Sequence, residues 1–140
     1  RPGYRCWHNQ NYWRFGDYLG IGAGAHGKLS DPASGVIRRR WKDRNPRSYM
    51  AATSHAARVA GDQAIAASEL PFEYMLNALR LVDGVAAGEF AERTGLDPAC
   101  IAPELAQARQ RGWLDGDARQ LHTTALGQRF LNDVIASFMS

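Results

Sequence analysis

Apolar residues recur with helical spacing from about Leu70 onward, whereas before residue 50 they do not. Leu70-Pro71 opens an amphipathic segment in which Phe72, Met75, Leu76 and Leu79 fall at i, i+3, i+4 and i+7, the stripe of a helix that buries one face. Pro71 sits in the first turn, where a missing N–H does no harm, and Asp83-Gly84 ends the run. A short helix over Ala87–Arg93 is closed by Thr94-Gly95. A third starts at Asp97-Pro98 and runs to Arg111 across Pro103, with Gly112 as its stop. Trp113-Leu114 and Arg119–Thr123 read as short strands about the turn Asp115-Gly116-Asp117. Thr124–Phe138 reads as a closing helix with Leu126, Phe130, Leu131, Val134, Ile135 and Phe138 on its apolar face. Three helices, a small hairpin and a last helix predict a winged-helix-like domain over 70–140, with these Leu, Phe and Met positions as core.

The first 50 residues differ in texture, with many glycines and aromatics and little periodicity. Strands are expected near Tyr18–Ala23 and Gly35–Trp41, an irregular or one-turn segment over Asn9–Trp13, and a turn-rich loop over Lys28–Ser34. The second strand, followed by Asn45-Pro46, reads as a charged sheet edge, with Arg38 and Arg40 on one side and Arg39 and Trp41 on the other. Ser48–Ala67 is alanine-rich with polar interruptions and reads as a helical linker or arm. The organisation expected is therefore α+β in three pieces: a strand segment over 1–50, a helical linker over 51–69 and the C-terminal domain over 70–140.

Candidate chemistry concentrates near the start. His8-Asn9-Gln10-Asn11-Tyr12-Trp13 packs an imidazole, amides and two amphipathic rings into six positions. That set suits a flat, metal-bearing aromatic ligand: imidazole coordinates iron, rings lie against a macrocycle and amides orient polar edges. A packed or surface histidine beside aromatics is the plainer alternative. The string Gly20-Ile21-Gly22-Ala23-Gly24-Ala25-His26-Gly27 lets backbone approach closely. It fits G-x-G-x-x-G formally, but Lys28-Leu29-Ser30-Asp31-Pro32 cannot open the helix that a dinucleotide site requires. His55 and His122 have no ligand-spaced partner and read as solvent-facing.

Charge and cysteines narrow the classes. Of 140 residues with net charge +3, those up to Arg58 hold eleven Lys or Arg against three Asp or Glu, and those from Val59 hold six against eleven. The basic cluster Arg38-Arg39-Arg40, Lys42, Arg44 and Arg47 raises nucleic acid as a partner. The third helix of a winged-helix reader argues against it, because Asp97 to Glu104 contain no Lys or Arg to meet phosphate. No apolar run approaches the ~18 residues of a membrane span, and no leader is evident, so a soluble cytoplasmic piece is expected. Cys6 and Cys100 are expected as free thiols.

The order H-N-x-x-Y-W from His8, G-D-Y-L-G-I-G-A-G-A-H-G from Gly16, E-L-P-F-E-Y-M-L-N-A-L-R-L from Glu69 and T-A-L-G-Q-R-F-L-N-D from Thr124 resembles the C-terminal part of the heme chaperones. These are radical-SAM relatives of the oxygen-independent coproporphyrinogen III oxidases, and the resemblance runs from about Pro2 to Phe138. It implies that the early strands flank the end of a β/α barrel whose core this chain lacks. It implies heme binding through H-N-x-x-Y-W, which the oxidases do not carry. His8 would be the iron ligand, Tyr12 and Trp13 the ring contacts and Asn9 an orienting amide. Cys6, two residues before His8, reads by its position as a small semi-buried residue, with a second iron ligand or a single thioether as the sharper alternative. Gly22, Gly24 and His26 would line a cavity for S-adenosylmethionine and substrate, and arginines nearby could pair with heme propionates. The parent would also hold a 4Fe-4S cluster on C-x-x-x-C-x-x-C, which two cysteines cannot build, so no catalysis is expected of this segment alone. Heme and an acceptor protein are the implied partners. A fragment of a porphyrinogen-decarboxylating oxidase is the second reading and a protein-interaction module the third. Strands cut from their barrel are also expected to seek a substitute, as a homodimer or by folding back on the helices.

Overall fold

A computed structural model describes residues 7–139 of the chain, with side chains from residue 9. The chain forms two compact units: Asp17–Ile65, and the residues before Asp17 joined with those from Ala66 on. Residues 1–50 therefore do not stay together, because the first helix belongs with the C-terminal unit.

The Asp17–Ile65 unit is an antiparallel sheet of β1 (His26–Ser30), β2 (Ile37–Lys42) and β3 (Val59–Ala64), in the order β1-β2-β3. Three expectations change here. The first strand falls later than Tyr18–Ala23, of which Tyr18 alone makes an isolated bridge, to Lys28. The β2 strand is central rather than an edge, flanked by β1 and β3. The linker read over 51–69 holds strand β3, preceded by helix α2 (Pro46–Ala51) and a 3-10 turn at Ala56–Arg58. Helix α2 begins where its chemistry directs, with Pro46 in the first turn and the Asn45 side chain accepting from the N–H of Arg47 and Ser48.

Strand alternation in β2 is as read. Arg38 and Arg40 both reach Asp62 across the β2–β3 pair, with Arg38 Nε at 2.7 Å and Arg40 Nη2 at 2.6 Å. On the opposite face the Trp41 ring covers Gly61, where a Cβ would collide with it. The sheet also buries two lysines, Lys28 at 4% and Lys42 at 6% exposure, which no hydropathy pattern anticipates. Lys28 Nζ donates to Asp17 Oδ1 at 3.0 Å, and Lys42 Nζ lies 3.2 Å from His55 Nε2. His55 is therefore solvent-exposed yet partnered. Among described residues of this unit, Ile37 is the one buried apolar side chain.

The other unit carries a conventional core. It contains α1 (Trp7–Trp13), α3 (Leu70–Ala78), β4 (Val85–Ala86), α4 (Glu89–Thr94), α5 (Ala102–Gln110), β5 (Gln120–Leu121), α6 (Ala125–Arg129) and α7 (Leu131–Ala136). Helix α3 buries Leu70, Pro71, Tyr74, Met75 and Ala78, one ridge round from the stripe read in sequence, so that Phe72 and Leu76 are only half-buried. Helix α4 ends on Gly95 at φ 72°, the left-handed stop that glycine allows. The segment at Asp97-Pro98 forms a 3-10 turn over Pro98–Ile101, and α5 restarts at Ala102 with Pro103 in its first turn. The expected hairpin survives as a single Leu114–Thr123 bridge, while β5 pairs instead with β4. The closing helix breaks at Phe130 (φ −111°, ψ 30°) into α6 and α7. Val134, Ile135 and Phe138 are buried, while Leu126 and Phe130 stay exposed. His122 is half-buried rather than solvent-facing, with Nε2 3.0 Å from the Val82 carbonyl oxygen.

Candidate functional site

The segment Trp7–Trp13 is a helix of seven residues, where the sequence suggested one turn at most. Asparagines and aromatics are weak helix formers, so local propensity does not account for it. Its end is fixed instead. Gly16 N–H donates to the Asn11 carbonyl at 2.8 Å and Phe15 N–H to the Tyr12 carbonyl at 2.9 Å, the paired bonds of a Schellman stop. Phe15 occupies the left-handed position usually given to glycine, at φ 56°. Its ring is 3% exposed and meets Tyr74 edge-on at 5.8 Å, and Tyr74 meets Phe90 at 5.3 Å. Arg14 Nη1, 3.5 Å from Glu89 Oε1, ties the same end to α4. Gly16 is required by space, since a Cβ there would collide with the Asn11 side chain.

Helical spacing explains the motif. Positions 8, 9, 12 and 13 are i, i+1, i+4 and i+5 and share one side of a helix, with 10 and 11 turned away. Asn9, Tyr12 and Trp13 line a cleft of about 340 Å³ whose other wall is Leu76, Asn77 and Arg80 at the end of α3. That volume is at the lower end of small-molecule clefts. The walls pair two aromatic faces and an aliphatic one with two amides and a guanidinium, a surface for a ligand with a flat apolar body and polar margins. His8 contributes backbone to α1, one turn before Tyr12, but its side chain lies outside the described residues, as does Cys6. Cys100 is exposed and free.

The remaining site candidates belong to the sheet unit, and the cleft contains none of them. Gly22 and Gly24 adopt left-handed φ of 103° and 71°, and their N–H groups are used within the unit. Gly22 N–H donates to Tyr49 Oη at 3.3 Å and Gly24 N–H to the Asp43 carbonyl at 2.7 Å. His26 is exposed on β1 and stacks on its cross-strand neighbour Trp41 at 6.4 Å with 24° between planes. Strand β1 takes in His26 and Gly27 at the end of the glycine string and runs on to Ser30, so a strand stands where a dinucleotide loop would open a helix. Arg38 and Arg40, candidates for propionate, are engaged by Asp62, whose pKa they hold below the ordinary carboxylate value, Arg40 most strongly. Asp17 is likewise held low. Burial alone would raise it, but the Ser30 N–H and Lys28 ammonium outweigh that. Leu76, Asn77 and Arg80 were not legible as site residues, although Asn77 and Arg80 are polar positions bordering the apolar stripe of α3.

No group of His, Cys, Asp or Glu suited to a metal ion occurs among the described residues, and no described helix is long and apolar enough to cross a membrane. A family model for the HemN C-terminal domain matches residues 65–130. The heme chaperone HemW of Escherichia coli is 40% identical over all 140 residues, which cover 36% of that protein. The Haemophilus influenzae heme chaperone HemW is 35% identical over the whole chain, covering 35% of its length. The chain thus spans about a third of the curated relatives it matches. Among solved structures, coproporphyrinogen III oxidase (HemN) of Escherichia coli, a radical SAM enzyme, matches 89% of this chain and 29% of its own with a TM-score of 0.59. At 15% identity this is a likeness of fold. With chaperone relatives aligned along its whole length, a HemN-type C-terminal domain model and a HemN-like fold, the chain is a counterpart of the C-terminal portion of the HemW heme chaperones.

Proposed function

We propose that this chain is the heme-binding C-terminal segment of a radical-SAM heme chaperone, receiving heme and passing it to an acceptor protein. The observation that carries this reading is the joint presence of Asn9, Tyr12 and Trp13 in one cleft on α1, the helix that also contains the backbone of His8. Neutral imidazole of His8 would ligate the iron. Tyr12 and Trp13 would lie against the macrocycle, and Asn9 would hydrogen-bond its polar margin. A cleft of about 340 Å³ holds the edge of such a ligand and leaves the rest uncovered, which favours handover over permanent retention. The parent protein would carry the 4Fe-4S cluster and S-adenosylmethionine on residues beyond this chain, in the cytoplasm. The helices around the β4–β5 pair would form a winged-helix-like module, facing protein rather than nucleic acid. Gly22, Gly24 and His26 would contribute to the cofactor side of the parent. Leu19 and Ile21, 75% and 90% exposed, support self-association of the isolated chain.

Titration of hemin into the full-length protein, followed by the Soret band, tests the reading. His8→Ala is expected to weaken binding at least about tenfold, a loss of about 1.4 kcal/mol. An unchanged titration curve would overturn His8 as the ligand.

A further inference from the structure

The cleft contains one cationic side chain, Arg80, and its geometry is that of a carboxylate receptor. Arg80 is exposed, and its Nε donates to the Leu76 carbonyl at 2.9 Å, four residues back in α3. That bond orients the guanidinium plane. Among the described residues, neither Nη of Arg80 has a hydrogen-bond or ion-pair partner. Asn77, beside it, is oriented in the same way: its Nδ2 donates to the Glu73 carbonyl at 2.9 Å, which leaves Oδ1 as an acceptor. Several other arginines already hold carboxylates. Arg38 and Arg40 grip Asp62, Arg14 meets Glu89 and Arg119 meets Asp117. A guanidinium with its outer edge free, held at the rim of an aromatic cleft, binds a carboxylate through two parallel N–H bonds.

We infer that Arg80 is a specificity residue that receives a propionate carboxylate of the porphyrin seated against Tyr12, Trp13 and Leu76. The inference rests on the heme-binding reading and deepens it. Iron ligation from α1 would fix the centre of the macrocycle, while Arg80 on α3 would fix its rotation about that centre. Discrimination between porphyrins would then follow from their acidic side chains. A porphyrin whose carboxyls are masked would keep its contacts with the rings and lose the one with Arg80.

The test titrates the full-length protein with hemin and with hemin dimethyl ester, in which both propionates are methylated. Wild type is expected to bind hemin about tenfold tighter than the ester. Arg80→Gln should weaken hemin about tenfold and leave the ester within about twofold, which also serves as the control for folding. Arg80→Lys, which keeps the charge without the fork, should fall between. Iron-free protoporphyrin IX, followed by quenching of tryptophan fluorescence, should show the same loss in Arg80→Gln, because no iron ligation is involved. Equal weakening of hemin and ester, or of neither, would overturn the role of Arg80. If Trp13→Ala weakens both ligands while Arg80→Gln weakens neither, the cleft stands and only this inference falls. If neither variant alters hemin binding, or wild type does not bind hemin, the site itself is wrong.

Discussion

Phe15 is the latch of the candidate site, and its replacement separates packing from backbone strain. The ring is 3% exposed and stacked edge-on against Tyr74, so truncation to alanine removes a fully buried aromatic from the helical unit. Such truncations cost about 3–5 kcal/mol. The backbone at φ 56° adds a second quantity. A left-handed conformation costs any residue with a Cβ about 1–2 kcal/mol, a strain that alanine keeps and glycine does not. Phe15→Gly is therefore expected to be at least as stable as Phe15→Ala, by up to about 1 kcal/mol, reversing the usual order of these residues in folded backbone. The assay is urea unfolding of the 140-residue chain, followed by far-ultraviolet circular dichroism and tryptophan fluorescence. For a unit of this size, a loss of ~3 kcal/mol lowers the melting temperature by at least about 12 °C. Because the Phe15 ring anchors the end of α1 to Tyr74, the alanine variant should also bind hemin more weakly than wild type. A loss below about 1 kcal/mol in Phe15→Ala, or a glycine variant less stable than the alanine one, would refute the latch.

Two further outcomes follow from charges and polar groups in each unit. Asp17 has its pKa held below the unfolded value by Ser30 and Lys28 against the opposing effect of burial, so its stabilisation is present above the unfolded pKa of about 3.9 and is lost as pH falls through its lower folded value. Asp17→Asn should accordingly destabilise the sheet unit at neutral pH by about 1–3 kcal/mol, because buried Lys28 loses a carboxylate. Wild type and variant should converge in acid, and a gap that does not shrink as the pH falls below the unfolded pKa would refute the assignment. Tyr74 is fully buried, its hydroxyl is without a hydrogen-bond partner among the described residues, and burial pushes its pKa well up. Tyr74→Phe is expected to leave stability unchanged or raise it by up to about 1 kcal/mol, measured by the same urea titration, and a clear loss would reveal a partner.

What was legible in the sequence divides along a physical line. Helix stops and starts were readable because their chemistry is local: Gly95 in a left-handed cap, Pro71 in a first turn and Pro98 after the capping side chain of Asp97 need nothing distant. Elements that exist because of a neighbour were not readable. Strand β3, Val-Ala-Gly-Asp-Gln-Ala, has no apolar face; Gly61 fits it beneath Trp41 and Asp62 offers a carboxylate to two arginines of β2. Helix α1 has poor propensity and is stopped by Phe15, whose partner Tyr74 lies far along the chain. The closing helix broke at Phe130 although its period runs through, and the exposure of Leu126 and Phe130 marks where that period overstates burial. The same line runs through the site. Asn9, Tyr12 and Trp13 could be chosen by residue type and by resemblance, but the face they share depends on α1 being a helix, which only tertiary packing supplies. The opposite wall was invisible for the complementary reason. Leu76 satisfies an apolar stripe and Arg80 a helix end, so each has a sufficient local explanation. Their role as a wall arises only when α1 is set beside α3. A binding site assembled from two weakly specified edges of separate helices is therefore read from sequence only on the side whose residues are chemically unusual.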